Sequence, residues 1–311
     1  MSLVSCLVTT CDRPHLVGRA VRSVLGQTHA DLELIVVVDG ADGATEHVLA
    51  GCADPRLRVV VRPTRGGQGA AINIGLALAR GEFVALLDDD DTWLPAKLER
   101  QLAAVGAAGV LRPIVGCRFV ARREDGEVVW PRRRPRPGEP LSEYLFCRHQ
   151  LRFGEGILPT SMLFAPTSLF RAVPMAENLR RHSDLDWLVR ADQFADVRLT
   201  FPPDETPLAI WEMQSGRQRM SNAHDWASSL AWIEARRAFV TPRAYAGFLL
   251  TWISHSARCE GDRRAFAALM RHAFRHGRPS VMELLVHAAI WALPVGLRAG
   301  ARGAVAAEPT A

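Results

Sequence analysis

Through the first third of the chain, short apolar runs rich in β-branched side chains alternate with longer amphipathic stretches. That rhythm predicts βαβ units feeding a parallel sheet. Four strands are expected, at Val4 to Val8, Leu34 to Val38, Leu57 to Val61 and Phe83 to Leu87, with helices beginning near Pro14, Ala44, Gln68 and Pro95. The runs show little polar alternation, as in strands covered on both faces, so ligands should bind beyond the carboxyl ends of the strands. Four turns are therefore the places to look for chemistry: Thr9 to Arg13, Asp39 to Gly43, Arg62 to Gly69 and Asp88 to Thr92.

After Gly109 the rhythm changes. Ile114 to Val120 and Glu127 to Trp130 read as a hairpin around Asp125-Gly126. Ser161 to Phe164 reads as a further strand, Ser168 to Val173 as a short helix, and Asp184 to Phe194 as a helix with Ser183 as its N-cap. From Asn222 to His276 the pattern is helical, broken at Thr241-Pro242 and Glu260-Gly261. The expected fold class is α/β, followed by a helical C-terminal segment. The expected divisions are 1–108, 109–221 and 222–311.

Composition removes other classes. With 48% hydrophobic and 23% charged residues the chain is globular, not disordered or collagen-like. Six cysteines without a CxxC pair suggest free thiols in a reducing cytosol. The N-terminus runs into a strand too soon for a secretory signal, so a cytoplasmic location is expected. Val281 to Leu297 is apolar, but Glu283, His287 and Pro294 interrupt it, which favours a helix lying on the inner face of a membrane or packed on the protein. The net charge of +5 is carried mainly by arginine, with Arg132, Arg133, Arg134 and Arg136 clustered among prolines. That cluster is either a solvated loop or an attractor of phosphorylated acceptors or lipid headgroups, assisted by Arg298 and Arg302. No recognition helix or aromatic platform accompanies it, so no nucleic-acid partner is expected.

The sharpest chemical feature is Asp88-Asp89-Asp90-Asp91, directly after an apolar strand. Adjacent carboxylates repel. At a strand's carboxyl end the cluster makes sense where a divalent cation neutralises it, since Mg²⁺ and Mn²⁺ prefer oxygen ligands and bridge phosphates. The alternative is an acidic turn capping the next helix.

From Val4 to Asp91 the chain resembles the nucleotide-binding half of family 2 glycosyltransferases, which have the GT-A fold; the resemblance implies a GT-A-like αβα sandwich with a Rossmann-like nucleotide-binding first half and a mixed sheet. The resemblance rests on Thr9-Thr10-Cys11-Asp12-Arg13, on Ser23-Val24-Leu25-Gly26-Gln27-Thr28, on Leu34 to Gly40, and on Leu87-Asp88-Asp89-Asp90-Asp91-Thr92-Trp93. Jointly these motifs are far more specific than singly. The resemblance implies that Thr9 lines the base pocket and that Asp39 accepts a hydrogen bond from the nucleobase or ribose, although a turn carboxylate bonding its own backbone is an equal reading of Asp39. Valine at position 38 stands where the family often has a second carboxylate. Arg65-Gly66-Gly67-Gln68-Gly69 and Asn73 match the family's Gly-rich segment, with Ile72 replacing a frequent arginine, which gives Gly67 and Asn73 donor-binding roles. Asp88 and Asp90 fall on the two carboxylates of the metal motif, Asp90 the direct ligand. Asp89 takes the variable position on the donor side.

Ser183-Asp184-Leu185-Asp186-Trp187-Leu188-Val189-Arg190 resembles the segment in which the family places its catalytic base, here Asp184. The competing reading is a carboxylate that merely favours a helix N-terminus. Asp186 reads as a partner for Arg190. Between Trp211 and Ser221 many relatives carry a histidine near the diphosphate; here Gln214 aligns with it, and Arg217 and Arg219 are candidate phosphate contacts. His182 adjoins the base, and Trp187, Trp211, Trp226 and Trp232 are either core or sugar-stacking residues.

The implied activity is metal-dependent transfer, with inversion, of a sugar from a nucleotide-diphosphate donor, with UDP-sugars the commonest guess. The implied cofactor is Mn²⁺ or Mg²⁺. Expected acceptors are a saccharide, a lipid carrier or a small molecule, in cell-surface polysaccharide, glycolipid or natural-product biosynthesis. Two rivals remain at this level: a nucleotidyltransferase and a nonenzymatic sugar- or nucleotide-binding relative.

Overall fold

The computed structural model describes residues 2–213 and 225–292. The first elements are β1 (Val4–Thr10), α1 (Pro14–Leu25), β2 (Leu32–Val38), α2 (Gly43–Ala50), β3 (Leu57–Val61), α3 (Gln68–Leu78) and β4 (Phe83–Asp88). Then come β5 (Thr92–Trp93), α4 (Lys97–Ala107), β6 (Arg112–Val115), β7 (Phe119–Arg123), β8 (Gly126–Trp130) and α5 (Leu141–Phe146). A single 3₁₀ turn at Thr160–Met162 leads into β9 (Phe164–Pro166), α6 (Thr167–Ala172), α7 (Ser183–Ala191), β10 (Val197–Thr200) and β11 (Ala209–Glu212). The remaining α-helices among the described residues are α8 (Trp226–Ala235), α9 (Pro242–Gly247), α10 (Ser254–Glu260), α11 (Arg264–His276) and α12 (Val281–Ala292), with a further 3₁₀ turn at Arg237–Phe239 and a π-helical segment at Phe248–Ile253 that joins α9 to α10.

The four expected strands lie parallel in the order β3-β2-β1-β4, and β9 adds an antiparallel edge beside β4. Every residue of β2 is buried, as are most of β1 and β4. Such strands need cover on both faces, which is why their sequences are mostly apolar. Helix starts follow local chemistry. Pro14 opens α1, where its missing N–H costs nothing, and the Asp42 carboxylate caps α2 by accepting the Thr45 N–H at 3.1 Å. The fold is thus the mixed α/β arrangement the sequence implied.

Three local expectations are corrected. Ile114 to Val120 is not one strand: β6 pairs with β10 in a separate parallel pair, and β7 begins beyond a bend. At Gly116, between these strands, an added Cβ would lie 2.8 Å from the side-chain ends of both Leu158 and Phe201, so any larger residue would have to displace them. Ser161 lies in the 3₁₀ turn rather than in a strand. Ser183 is the first residue of α7, whose N-cap is His182 in the left-handed region at φ 62°.

The chain divides into two compact units. The first comprises Met1–Ala121, Val129–Pro135 and Leu158–Glu212, and holds the five-stranded sheet. The second takes Arg122–Val128, Arg136–Ile157 and the chain from Met213 onward, and its described residues are largely helical. Its helices break where expected: the Thr241 hydroxyl caps α9 by accepting the Ala244 N–H, and Gly261 ends α10 at φ 79°.

Candidate active site

Parallel pairing gathers the strand ends. Thr9 lies beside Val37 on one side and Asp88 on the other, so Thr9, Asp39 and Asp88 share the carboxyl edge of three adjacent strands. The Asp39 N–H donates to the Thr10 carbonyl at 2.8 Å, continuing the edge one residue past the strands.

The four aspartates diverge in a tight turn closed by the Asp91 N–H on the Asp88 carbonyl. Asp88, Asp90 and Asp91 point together, each offering a carboxylate oxygen, with the three oxygens within 4.8 Å of one another. Asp89 turns elsewhere, accepting from the Thr10 hydroxyl at 2.7 Å and from Arg13 at 2.9 Å. Arg13 also lies 3.8 Å from Asp90. Asp91 is fully buried and accepts from the Ser161 hydroxyl at 2.5 Å and the Glu212 N–H at 3.1 Å. Burial, then the charges of Asp91, Asp90, Asp89 and Asp184, hold the Asp88 carboxyl well above the usual carboxylate range. An all-oxygen donor set under that repulsion fits a hard divalent cation such as Mg²⁺ or Mn²⁺.

Asp184 sits in the first turn of α7 and belongs to the same electrostatic neighbourhood, since its charge acts on Asp88. Burial raises its pKa, against hydrogen bonds from backbone N–H groups that include Leu185 at 2.8 Å. Gln68 links the two regions: its amide donates to Asp88 at 2.6 Å and accepts from the Ser183 hydroxyl at 3.4 Å. His182, before the helix, is pushed down to about 4 by burial and by adjacent Arg181, and so is a neutral imidazole at ordinary pH. Asp186 pairs with Arg190 at 2.7 Å, as its spacing implied.

The Gly-rich turn is held by Asp39, whose carboxylate accepts the Gly66 N–H at 2.9 Å and the Gly67 N–H at 2.7 Å and also bonds Arg62. Gly67 has φ 86°, a conformation costly to any residue with a Cβ. Asn73 bonds the segment after α6. Its amide donates to the Met175 carbonyl at 3.0 Å and to Glu177 at 2.8 Å, and its oxygen accepts the Met175 N–H at 2.9 Å.

The other candidates make structural contacts. Trp187 is fully buried and stacked on Phe170, and Trp232 is core. Trp211 packs in an aromatic group with Phe119 and Trp130. Arg134 bonds the Pro203 and Asp204 carbonyls and pairs with Glu205, which ties the basic segment to a neighbouring loop. Gln214, Arg217, Arg219, Arg298 and Arg302 lie outside the described residues.

Sequence reasoning missed Thr10, Arg13, Gln68, Ser161 and Glu212. Thr10, Arg13 and Gln68 stood in turns already singled out, and a search for partners of four crowded carboxylates would have tested them. Ser161 and Glu212 carried no local signal.

The model for Glycosyl transferase family 2 matches residues 5–175. An Escherichia coli protein, the UDP-Glc:alpha-D-GlcNAc-diphosphoundecaprenol beta-1,3-glucosyltransferase WfgD, is 34% identical over 101 residues, which cover 32% of this chain and 40% of its own. Alignments to the first curated relatives span only 30–40% of their length. Among solved structures, S. aureus TarS 1-349 in complex with UDP-GlcNAc matches with TM-score 0.53 at 18% identity, covering 89% of this chain and 74% of that one. A mannosyltransferase from Pyrobaculum calidifontis in complex with GDP-Man and Mn²⁺ matches with TM-score 0.50 at 18% identity, covering 96% and 83%. At such identities the likeness is one of fold.

Proposed function

The chain belongs to glycosyl transferase family 2, and on that premise we propose that it moves a sugar from a nucleoside-diphosphate donor to an acceptor hydroxyl by one inverting displacement. The observation that carries this reading is the convergence of Asp88, Asp90 and Asp91 at the end of β4, with Asp184 in their electrostatic neighbourhood. A bound Mg²⁺ or Mn²⁺, held by Asp90 and Asp88, would supply positive charge against the donor diphosphate.

The chain's own residues do the rest. Thr9 and Asp39 stand at the nucleoside end of the strand edge, where a base or ribose contact to Asp39 competes with two glycine amides and Arg62. By pinning the Gly66 and Gly67 amides, Asp39 shapes the turn the donor must pass. Asp89 positions Thr10 and Arg13, and through Arg13 keeps a cation beside Asp90. Asp184, with its raised affinity for a proton, accepts the proton of the acceptor hydroxyl. The acceptor oxygen then forms its bond to the anomeric carbon as the bond to the diphosphate oxygen breaks, and the nucleoside diphosphate leaves with that electron pair.

For the acceptor we favour a saccharide, on a lipid carrier or in a growing cell-surface polysaccharide, and for the donor a UDP-sugar. WfgD's name, with UDP-Glc as donor and alpha-D-GlcNAc-diphosphoundecaprenol as acceptor, supports that choice.

The test is release of nucleoside diphosphate from a panel of nucleotide sugars with Mn²⁺, with and without chelator. Chelator-sensitive release from one donor is expected, increased by acceptor. Release of pyrophosphate from a nucleoside triphosphate would favour a nucleotidyltransferase. Donor binding without turnover in the presence of acceptor extracts would favour a binding relative.

A further inference from the structure

We propose that the outer face of α11 and α12 is a docking surface that seats this protein on an anionic lipid bilayer. α12 is built inside out. Its two polar residues, Glu283 and His287, are the buried ones, at 0% and 1% exposure. Glu283 accepts the Arg148 N–H at 3.2 Å and the Ser280 N–H at 2.6 Å. The His287 Nδ1 lies 2.8 Å from the Ser254 hydroxyl, and its ring stacks on Phe266 with centroids 4.6 Å apart. Helical periodicity then turns Val281, Leu285, Ala288 and Ala292 outward, all exposed. Val281 is 73% and Leu285 52% exposed.

α11 extends this apolar face. Phe274 is 59% exposed, and Phe266, 39% exposed, meets both His287 and Trp291, so the apolar flank of α11 runs onto α12. Apolar surface of this kind, held outward by polar anchors, marks an interaction site.

Charge identifies the occupant. From Arg263 to Ala292 the sequence carries Arg263, Arg264, Arg271, Arg275 and Arg278, no lysine, and one acid, Glu283, which is buried. All five arginines are exposed. Arg264, Arg271 and Arg275 follow at seven- and four-residue steps along the side of α11 next to Phe274. An apolar stripe edged by arginines is what an interfacial helix presents to acyl chains and anionic headgroups. A second copy meeting this face would bring like-charged arginine flanks together. Residues 293–311 offer no acidic complement either, with Arg298 and Arg302 against Glu308 alone. Among the described residues no helix is long and apolar enough to cross a membrane, so the contact is one of lying on the surface. The inference is independent of the transfer reaction.

The test is flotation of the full chain with vesicles of phosphatidylcholine alone, or with about a third phosphatidylglycerol. The wild type should float with the anionic vesicles only, and less so at high salt. The pair Val281→Glu and Leu285→Glu should weaken binding by about tenfold or more, and Arg271→Glu with Arg275→Glu similarly, while Arg271→Lys with Arg275→Lys keeps it. Thermal melts identify folded variants; should the Glu pair at 281 and 285 not fold, the arginine pairs decide. Absence of wild-type binding to anionic vesicles overturns the proposal, as does equal binding by folded charge-reversal variants. A wild-type dimer that fails to float and becomes monomeric with Leu285→Glu also overturns it, in favour of a second copy.

Discussion

Ser161 and Asp91 are joined by a hydroxyl-to-carboxylate hydrogen bond of 2.5 Å across 70 positions of sequence. The same serine oxygen accepts the Asp88 N–H at 3.1 Å. One hydroxyl therefore fixes both ends of the acidic turn. Ser161→Ala leaves the buried Asp91 short of a donor, at a cost of about 1–3 kcal/mol. Urea denaturation should show that loss, and Mn²⁺ titration a weaker affinity. An unchanged denaturation midpoint would remove the serine from this role.

Asp184→Asn should separate stability from activity. Because the folded state raises the Asp184 pKa above its ordinary 3.8, the folded state holds the proton more tightly than the unfolded chain. Ionisation therefore costs stability progressively as pH rises from 3.8 through the raised value, and the full cost remains above it. The variant should melt at a higher temperature than wild type at neutral pH and alike in acid. Transfer should fall by about a hundredfold to ten-thousandfold with donor binding kept. In the wild type, the rate should fall as pH drops through the raised pKa. Full turnover by the variant would dismiss Asp184 as the base.

Much of this was legible in the sequence because it depends on near neighbours. The apolar runs of β1 to β4 give nearly the observed strand positions, and parallel pairing then carries Thr9, Asp39 and Asp88 to one edge without further information. The partners of the acid cluster are another matter. Ser161, Thr10 and Glu212 reach Asp91 or Asp89 across 70, 79 and 121 positions, and nothing local to Ser161 or Glu212 records it. β9 is three residues long and exists because the edge of β4 pairs with it, so its pattern alone was too short to place. Asn73 poses a different question, since its family motif points to the donor while its amide bonds Met175 and Glu177.

Asn73→Ala tests that point. Loss of three hydrogen bonds to the Met175 to Glu177 segment should destabilise the protein by about 2 kcal/mol, with little change in donor KM. Weakened donor binding at unchanged stability would instead return Asn73 to the donor site that the resemblance implied.

Lys97 is fully buried, with its ammonium 2.6 Å from the Gln101 amide oxygen and 4.1 Å from the Trp93 ring centroid. Burial pulls its pKa from 10.5 down to about 8. Between those values the unfolded chain binds a proton that the folded state does not, so this residue makes stability rise with pH across that window. Cys6 and Cys117, pushed up to about 12 and about 11 by burial, act oppositely above 9. The difference between wild type and Lys97→Met therefore reads the lysine most directly between about 8 and 9, below the range of the thiols it neighbours. Denaturant midpoints should find the variant at least as stable near neutral pH, with its advantage shrinking as pH rises from about 8 to 10.5. An advantage that does not change with pH would contradict the assignment.

The central claim is that Asp90 and Asp88 hold a divalent cation against the donor diphosphate. Its most direct test is Mn²⁺ binding, read from the electron paramagnetic resonance of the free ion, with and without UDP, in wild type and Asp90→Ala. The account predicts Mn²⁺ binding that UDP tightens and that Asp90→Ala abolishes. Undiminished Mn²⁺ and UDP binding in Asp90→Ala would contradict it.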